Sequence, residues 1–294
     1  MLDPISDSPR RARVQPRLAE LIASELREQI LNSVHTSGLL PKQDDLVAMF
    51  GVSAPPLREA LRILEGEGLI TVRRGKVGGA VIHRPDGGSV SHAVGMALQG
   101  DQIRLRDLGG SILSFEPVCA QACADDVDVR EVLRPILELN LQQTAEAMGD
   151  GPVFTHRARQ FHDLVVAQTP SRTTRLLVRS LVAIWSAQEE IWAHEASELG
   201  QYPTEEAQRS VLEAHTRIAE KILNGDGSGA ERSARTHLAA SQQSMLSLFG
   251  DRVVDASSAR AVRGLRDETA RQSDSSRLYA GVDLPSGRAW VSSL

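Results

Sequence analysis

Residues 39–82, LLPKQDDLVAMFGVSAPPLREALRILEGEGLITVRRGKVGGAVI, decide the fold. In KQDDLVAMFG, residues 42–51, the pattern predicts a short helix that Gly51 ends. Ser53 is the N-cap candidate of the next helix. Pro55 and Pro56 fall in its first turn, where a missing N–H is tolerated. Gly66 and Gly68 end that helix. Residues 69–83, LITVRRGKVGGAVIH, alternate, break at Gly75–Gly79 and alternate again, which predicts a short β-hairpin.

Upstream, RLAELIASELREQILNSV (residues 17–34) places Leu18, Leu21, Ile22, Leu26, Ile30 and Leu31 at helical spacing. Residues 1–16, rich in Pro, Arg and Ser, read as a disordered arm. Three helices followed by a two-stranded wing form the layout of a winged helix-turn-helix, in which the second helix of the turn motif enters the major groove. That helix begins at Ser53. Arg58 and Arg62 share one of its faces, where guanidinium groups can bond phosphates or a guanine edge. Arg73, Arg74 and Lys76 surround Gly75 at the wing tip, where backbone can approach a sugar-phosphate chain.

The same stretch resembles the DNA-binding domain of GntR-type transcriptional regulators. The motifs LP, L…FGVS, REAL…LE.EGL and RRG stand in that family's order over residues 17–83. The resemblance carries over Ser53, Arg58, Arg74 and Gly75 as DNA-contacting positions. It departs at Ala54, where the family usually has Arg, and at Asp44, where a DNA-facing Arg is usual. Each lost phosphate contact lowers the salt dependence of binding by about one unit. Weaker or altered operator binding is therefore expected.

Beyond residue 85 the character changes. Residues 1–85 carry a net charge of +2 and the remainder −7, within a 294-residue chain of net −5. Helical periodicity runs through 89–248, with breaks at 149–152, 169–172, 198–204 and 224–229, which predicts about six helices in a bundle. The fold class is mainly α. The expected domains are the winged helix at 17–85, a linker at 86–99, a helical effector-binding domain at 100–249 and a tail at 250–294 with one helix around SSARAVRGLRDETARQ. Cys119 and Cys123 read as small buried hydrophobes. No apolar run reaches the roughly 18 residues of a membrane span, and residues 1–17 lack a signal peptide's apolar stretch, so a cytoplasmic protein is expected.

Within the helical part, His215 lies 9 residues before Asn224 and His237 lies 8 after Gly229, so two antiparallel helices would bring their rings level. His162 comes from a separate helix, framed by Phe161, Leu164 and Val165. Three neutral imidazoles suit zinc or a similar divalent ion and leave positions for a small anion. Trp185 and Trp192 read as core or dimer contacts rather than pocket wall. His35, His83, His92, His156 and His194 receive no role.

Residues 100–248 resemble the FCD effector-binding domain attached to one GntR branch. LSFEPVCAQACA, QFHDLVVAQT and EAHTRIAEKILNGDGSGAERSARTHL stand in that domain's order. The resemblance implies a divalent metal (zinc, nickel or manganese) on His162, His215 and His237, a carboxylate effector and a homodimer. Ala158 stands where the family's Asp ligand is usual, and Ile112 where its pocket Arg is usual. The expected function is a sequence-specific transcriptional regulator on operator DNA, not an enzyme. Three rival readings stay open: a metal-free pocket for an apolar or acyl ligand, a three-His metal hydrolase, and an interaction protein that has lost DNA binding.

Overall fold

The computed structural model describes residues 17–278 apart from 33, 36, 74–78 and 84–86, with backbone only at 87–89 and 269–278. The chain divides into two compact units, Met1–Asp86 and Gly87–Leu294.

The first unit holds α1 (Leu18–Leu31), α2 (Gln43–Phe50), α3 (Ala54–Gly66), β1 (Ile70–Arg73) and β2 (Gly79–Ile82). Ile22, Leu26 and Ile30 of α1 meet Leu46 of α2 and Leu57, Ala60 and Leu64 of α3 in one apolar core. Gly51 caps α2 at φ 62°, the left-handed conformation that favours glycine. β1 and β2 pair antiparallel with Ile70 opposite Ile82. Leu39 adds a bridge to Val81, and the Leu40 N–H donates to the Ala80 carbonyl at 2.9 Å. Three helices and a wing are the predicted layout.

The second unit holds α4 (Gly87–Gly100), α5 (Leu105–Asp125), α6 (Val127–Glu146), α7 (Gly151–Ala167), α8 (Arg172–Glu198), α9 (Glu205–Leu223), α10 (Gly227–Phe249) and α11 (Ala259–Leu278). All four predicted breaks overlap junctions between helices, although 151–152, 172, 198 and 227–229 are themselves helical. Two further breaks were not read, at 101–104 and at Asp126. Neither carries Gly or Pro. Gln102 turns the chain with φ 56°, and the Asp126 carboxylate caps α6 by accepting from the Val129 N–H at 3.1 Å. Pro117 lies inside α5 and cannot donate to the Leu113 carbonyl; the Arg235 guanidinium of α10 donates to that oxygen instead, at 3.0 Å. Cys119 and Cys123 are buried free thiols, pushed up by burial to about 11 and about 12, in keeping with an apolar role.

Two expected boundaries change. Residues 87–99 of the expected linker are helical: α4 occupies them, with Val94 and Leu98 packed on the core that contains Ile184, Trp185 and Leu265. Its Gly95 lies so close to the chain that a β-carbon there would stand 3.0 Å from that of Ala256. The described part of 250–294 is likewise folded rather than a tail. The Leu105 N–H donates to the Arg252 carbonyl and the Val254 N–H to the Ile103 carbonyl, both at 2.9 Å. Val254, Ala261 and Leu265 are buried. The physical reason is the same in both places: short apolar side chains at helical spacing find a face of α8 to cover. Among the described residues no helix is long and apolar enough to cross a membrane.

Candidate functional site

In the winged unit, α3 buries Leu57, Ala60, Leu61 and Leu64 and leaves Arg58 and Arg62 exposed on the opposite side, one turn apart. Arg62 pairs with Glu59 at 3.2 Å, with side chains 75% and 56% exposed, an ion pair too solvated to hold the guanidinium back. Ser53 stands at the N-cap in extended conformation with no side-chain cap bond. Arg73 is exposed at the end of β1, and Asp44 is exposed in the first turn of α2. Arg74, Gly75 and Lys76 lie outside the described residues, as does the expected arm at 1–16.

In the helical unit, α7, α9 and α10 bring His162, His215 and His237 together. The three Nε2 atoms form a triangle with edges of 3.0 Å (His162–His215), 3.2 Å (His162–His237) and 2.9 Å (His215–His237). The antiparallel turn between α9 and α10 sets two rings level, as the spacing predicts. His215 stacks on Phe161 with centroids 4.4 Å apart. Burial, reinforced by the neighbouring imidazoles, holds His215 well below its ordinary value and brings His237 down to about 3. His162 is lowered too, by burial against the pull of Glu116. All three rings are therefore neutral at pH 7.

The Glu116 carboxylate of α5 accepts from Nδ1–H of His162, which leaves the His162 Nε2 as a lone pair aimed into the triangle. Three imidazoles sharing a triangle cannot satisfy every edge with the protons they hold, and buried Nδ1 of His215 has no hydrogen-bond partner among the described residues. A single ion at about 2.0–2.1 Å from each nitrogen resolves this convergence. The donor set therefore fits a divalent cation. No carboxylate belongs to the cluster.

Beside the triad lies a buried charge network. Arg159 stands 3.3 Å from Glu189 and 3.6 Å from the second oxygen of Glu116. The Trp185 indole N–H donates to Glu189 at 2.9 Å. Burial would raise Glu116, but His162 and Arg159 outweigh it and hold the carboxyl below its usual range; Glu189 is raised by burial. His162, His215, His237 and Arg159 all line a cavity of about 650 Å³ that Phe154, Ala158, Trp192, Tyr202 and Val211 also bound. Tyr202 closes one side, its hydroxyl 2.6 Å from that of Thr155.

The profile described as "Bacterial regulatory proteins, gntR family" matches residues 18–79, and that of the "FCD domain" matches 113–240. Together they span well over half of the 294 residues. The chain belongs to the GntR family, in its FCD branch. Among curated relatives, the HTH-type transcriptional repressor NanR of Edwardsiella tarda is 25% identical over 242 residues, covering 78% of this chain and 85% of that one. NanR of Salmonella newport is 25% identical over 240 residues with the same coverage. A solved Streptococcus agalactiae GntR structure shares the fold, with a TM-score of 0.54, 20% identity, and coverage of 76% of this chain and 99% of that one.

A GntR-family chain of this branch is a DNA-binding transcriptional regulator, and the winged helix is its DNA-binding domain. Several residues of this regulator do more than the sequence announces. Trp185 is core, as expected, whereas Trp192 packs in the core and also forms cavity wall. Ile112 is fully buried in the core and is not among the residues lining the cavity, so its lost Arg leaves the cavity's polarity to other residues. Arg159 and Glu189 were not singled out. A charged residue in the middle of an otherwise core-facing helical stretch was the available signal, since Arg159 precedes Phe161 and His162 by two and three positions. His156, given no role, lies with Glu190 and Glu268 in a second group of donor atoms within 4.8 Å of one another.

Proposed function

We propose that this regulator holds a divalent cation (zinc, nickel or manganese) on His162, His215 and His237 and reads a small-molecule effector, a carboxylate, in the adjoining cavity. The observation that carries this is the convergence of three buried, neutral Nε2 atoms at 2.9–3.2 Å on one wall of that cavity. Glu116 orients His162, and Phe161 fixes the plane of His215. When bound, the ion supplies a cationic anchor for an anionic group of the effector. The winged helix binds operator DNA through Ser53, Arg58, Arg62, Arg73, Arg74, Gly75 and Lys76, as a homodimer on two half-sites. Effector binding shifts the population of DNA-competent dimers. The NanR relatives are named repressors, which supports repression as the output.

Metal analysis of full-length protein purified without chelator tests the site: about one ion per chain is expected, lost in a His215→Ala, His237→Ala double variant. Absence of metal from wild-type protein that also fails to take up added zinc, nickel or manganese would overturn it. That result leaves the metal-free reading, which the Ala158 methyl on the cavity wall favours. Operator binding is checked by gel shift at low salt, and the dimer by light scattering.

A further inference from the structure

Arg159 is 7% exposed, and its Nη2 makes no hydrogen bond among the described residues; Glu116 Oε2, at 3.6 Å, lies beyond bonding reach. A buried guanidinium nitrogen without an acceptor costs on the order of 1–3 kcal/mol or more. It borders the same cavity as the histidine triad. Its Nε side is committed, 3.3 Å from Glu189 and donating to the Ser186 hydroxyl at 3.4 Å. One face of the fork is thus fixed in place by the protein, the buried Nη2 is left without an acceptor, and the residue forms part of the cavity wall.

We infer that Arg159 is the second anchor for the effector, its incompletely bonded guanidinium binding a carboxylate while the triad's ion holds the same or another oxygen. This deepens the reading above and rests on it for the carboxylate effector and for the metal contact. The planar fork of an arginine matches a carboxylate, whereas an ammonium offers only a point charge. The charges agree. Arg159 lies against two carboxylates, Glu116 and Glu189, and Arg217 and Arg232 also line the cavity, so a divalent ion leaves the site cationic. The volume of about 650 Å³, with walls of Phe154, Trp192 and Val211 beside polar Gln208, Arg217 and Arg232, suits an organic acid rather than a bare inorganic anion.

The test compares wild type with Arg159→Lys, which keeps the charge balance. A second variant, Arg159→Gln with Glu189→Gln, removes one charge of each sign and is used if the lysine variant does not fold by circular dichroism. Zinc affinity is measured by titration calorimetry. Affinities for acetate, succinate and citrate, with inorganic phosphate as control, are then measured on the zinc-loaded proteins. The expected result is zinc affinity unchanged within about threefold and carboxylate affinity at least about tenfold weaker in the variant. Equal carboxylate affinity in variant and wild type overturns the assignment and leaves the metal reading intact. So does the absence of any carboxylate binding by wild type, or a preference for phosphate over all three acids. If wild type takes no zinc, the metal reading falls, and the same acids are titrated on the metal-free proteins. A tenfold loss there still supports Arg159, and no loss rejects it.

Discussion

In the winged unit the residues assigned to DNA, from Ser53 to Arg73 among those described, are near neighbours in sequence and stand in solvent. In the helical unit the residues assigned to the effector run from Glu116 to His237, come from five helices and are almost entirely buried. The first site needs only local elements and a core behind them. The second exists only when distant helices have docked, so its chemistry and its stability are the same contacts. A charge on the winged helix can change with no buried partner left behind, whereas a charge beside the triad leaves one unpaired.

That contrast can be broken in order of expected effect. Leu64→Ala empties a fully buried site of the winged core and should cost about 2–5 kcal/mol of that unit's stability by chemical denaturation. DNA binding should fall with it while metal content persists, and parallel loss of both would show that the units do not fold separately. His215→Ala removes one corner of the triangle. At least about a hundredfold weaker zinc binding is expected by calorimetry, with DNA affinity in the absence of metal unchanged. Glu116→Gln keeps shape but loses the charge that orients His162; a loss of about 10–100-fold in zinc affinity is expected, smaller than for a ligand. Arg58→Ala should weaken operator binding by about 1–3 kcal/mol in gel shifts, with the thermal midpoint unmoved because the side chain is exposed. Asp44→Asn has the smallest effect. It should strengthen binding at low salt, with the gain fading as salt rises.

The two units also differ in how far the sequence declares them. The winged fold is legible because each element is local: Gly51, Ser53, the prolines and the alternating strands announce their own turns. In the helical unit, glycine- and proline-marked breaks and the symmetric spacing of His215 and His237 about one turn are equally local, and they place the triad. What escapes is everything set by docking. Asp126 separates two helices without glycine or proline. α4 reads as a linker because its burial comes from α8 and from Ala256, far along the chain. Arg159 and Glu189 look like surface charges until α5, α7 and α8 bring them together in the interior. Trp192 serves core and cavity together, a double duty that periodicity cannot express.

The segment after α10 has a practical consequence. The FCD match ends at residue 240, yet Val254, Ala256, Ala261 and Leu265 beyond it are buried. An expression fragment trimmed to that boundary would strip the cover from α4 and α8 and leave an oily groove in water, prone to clumping. A sensor fragment cut for crystallisation or calorimetry should therefore begin at Gly87 and run through α11.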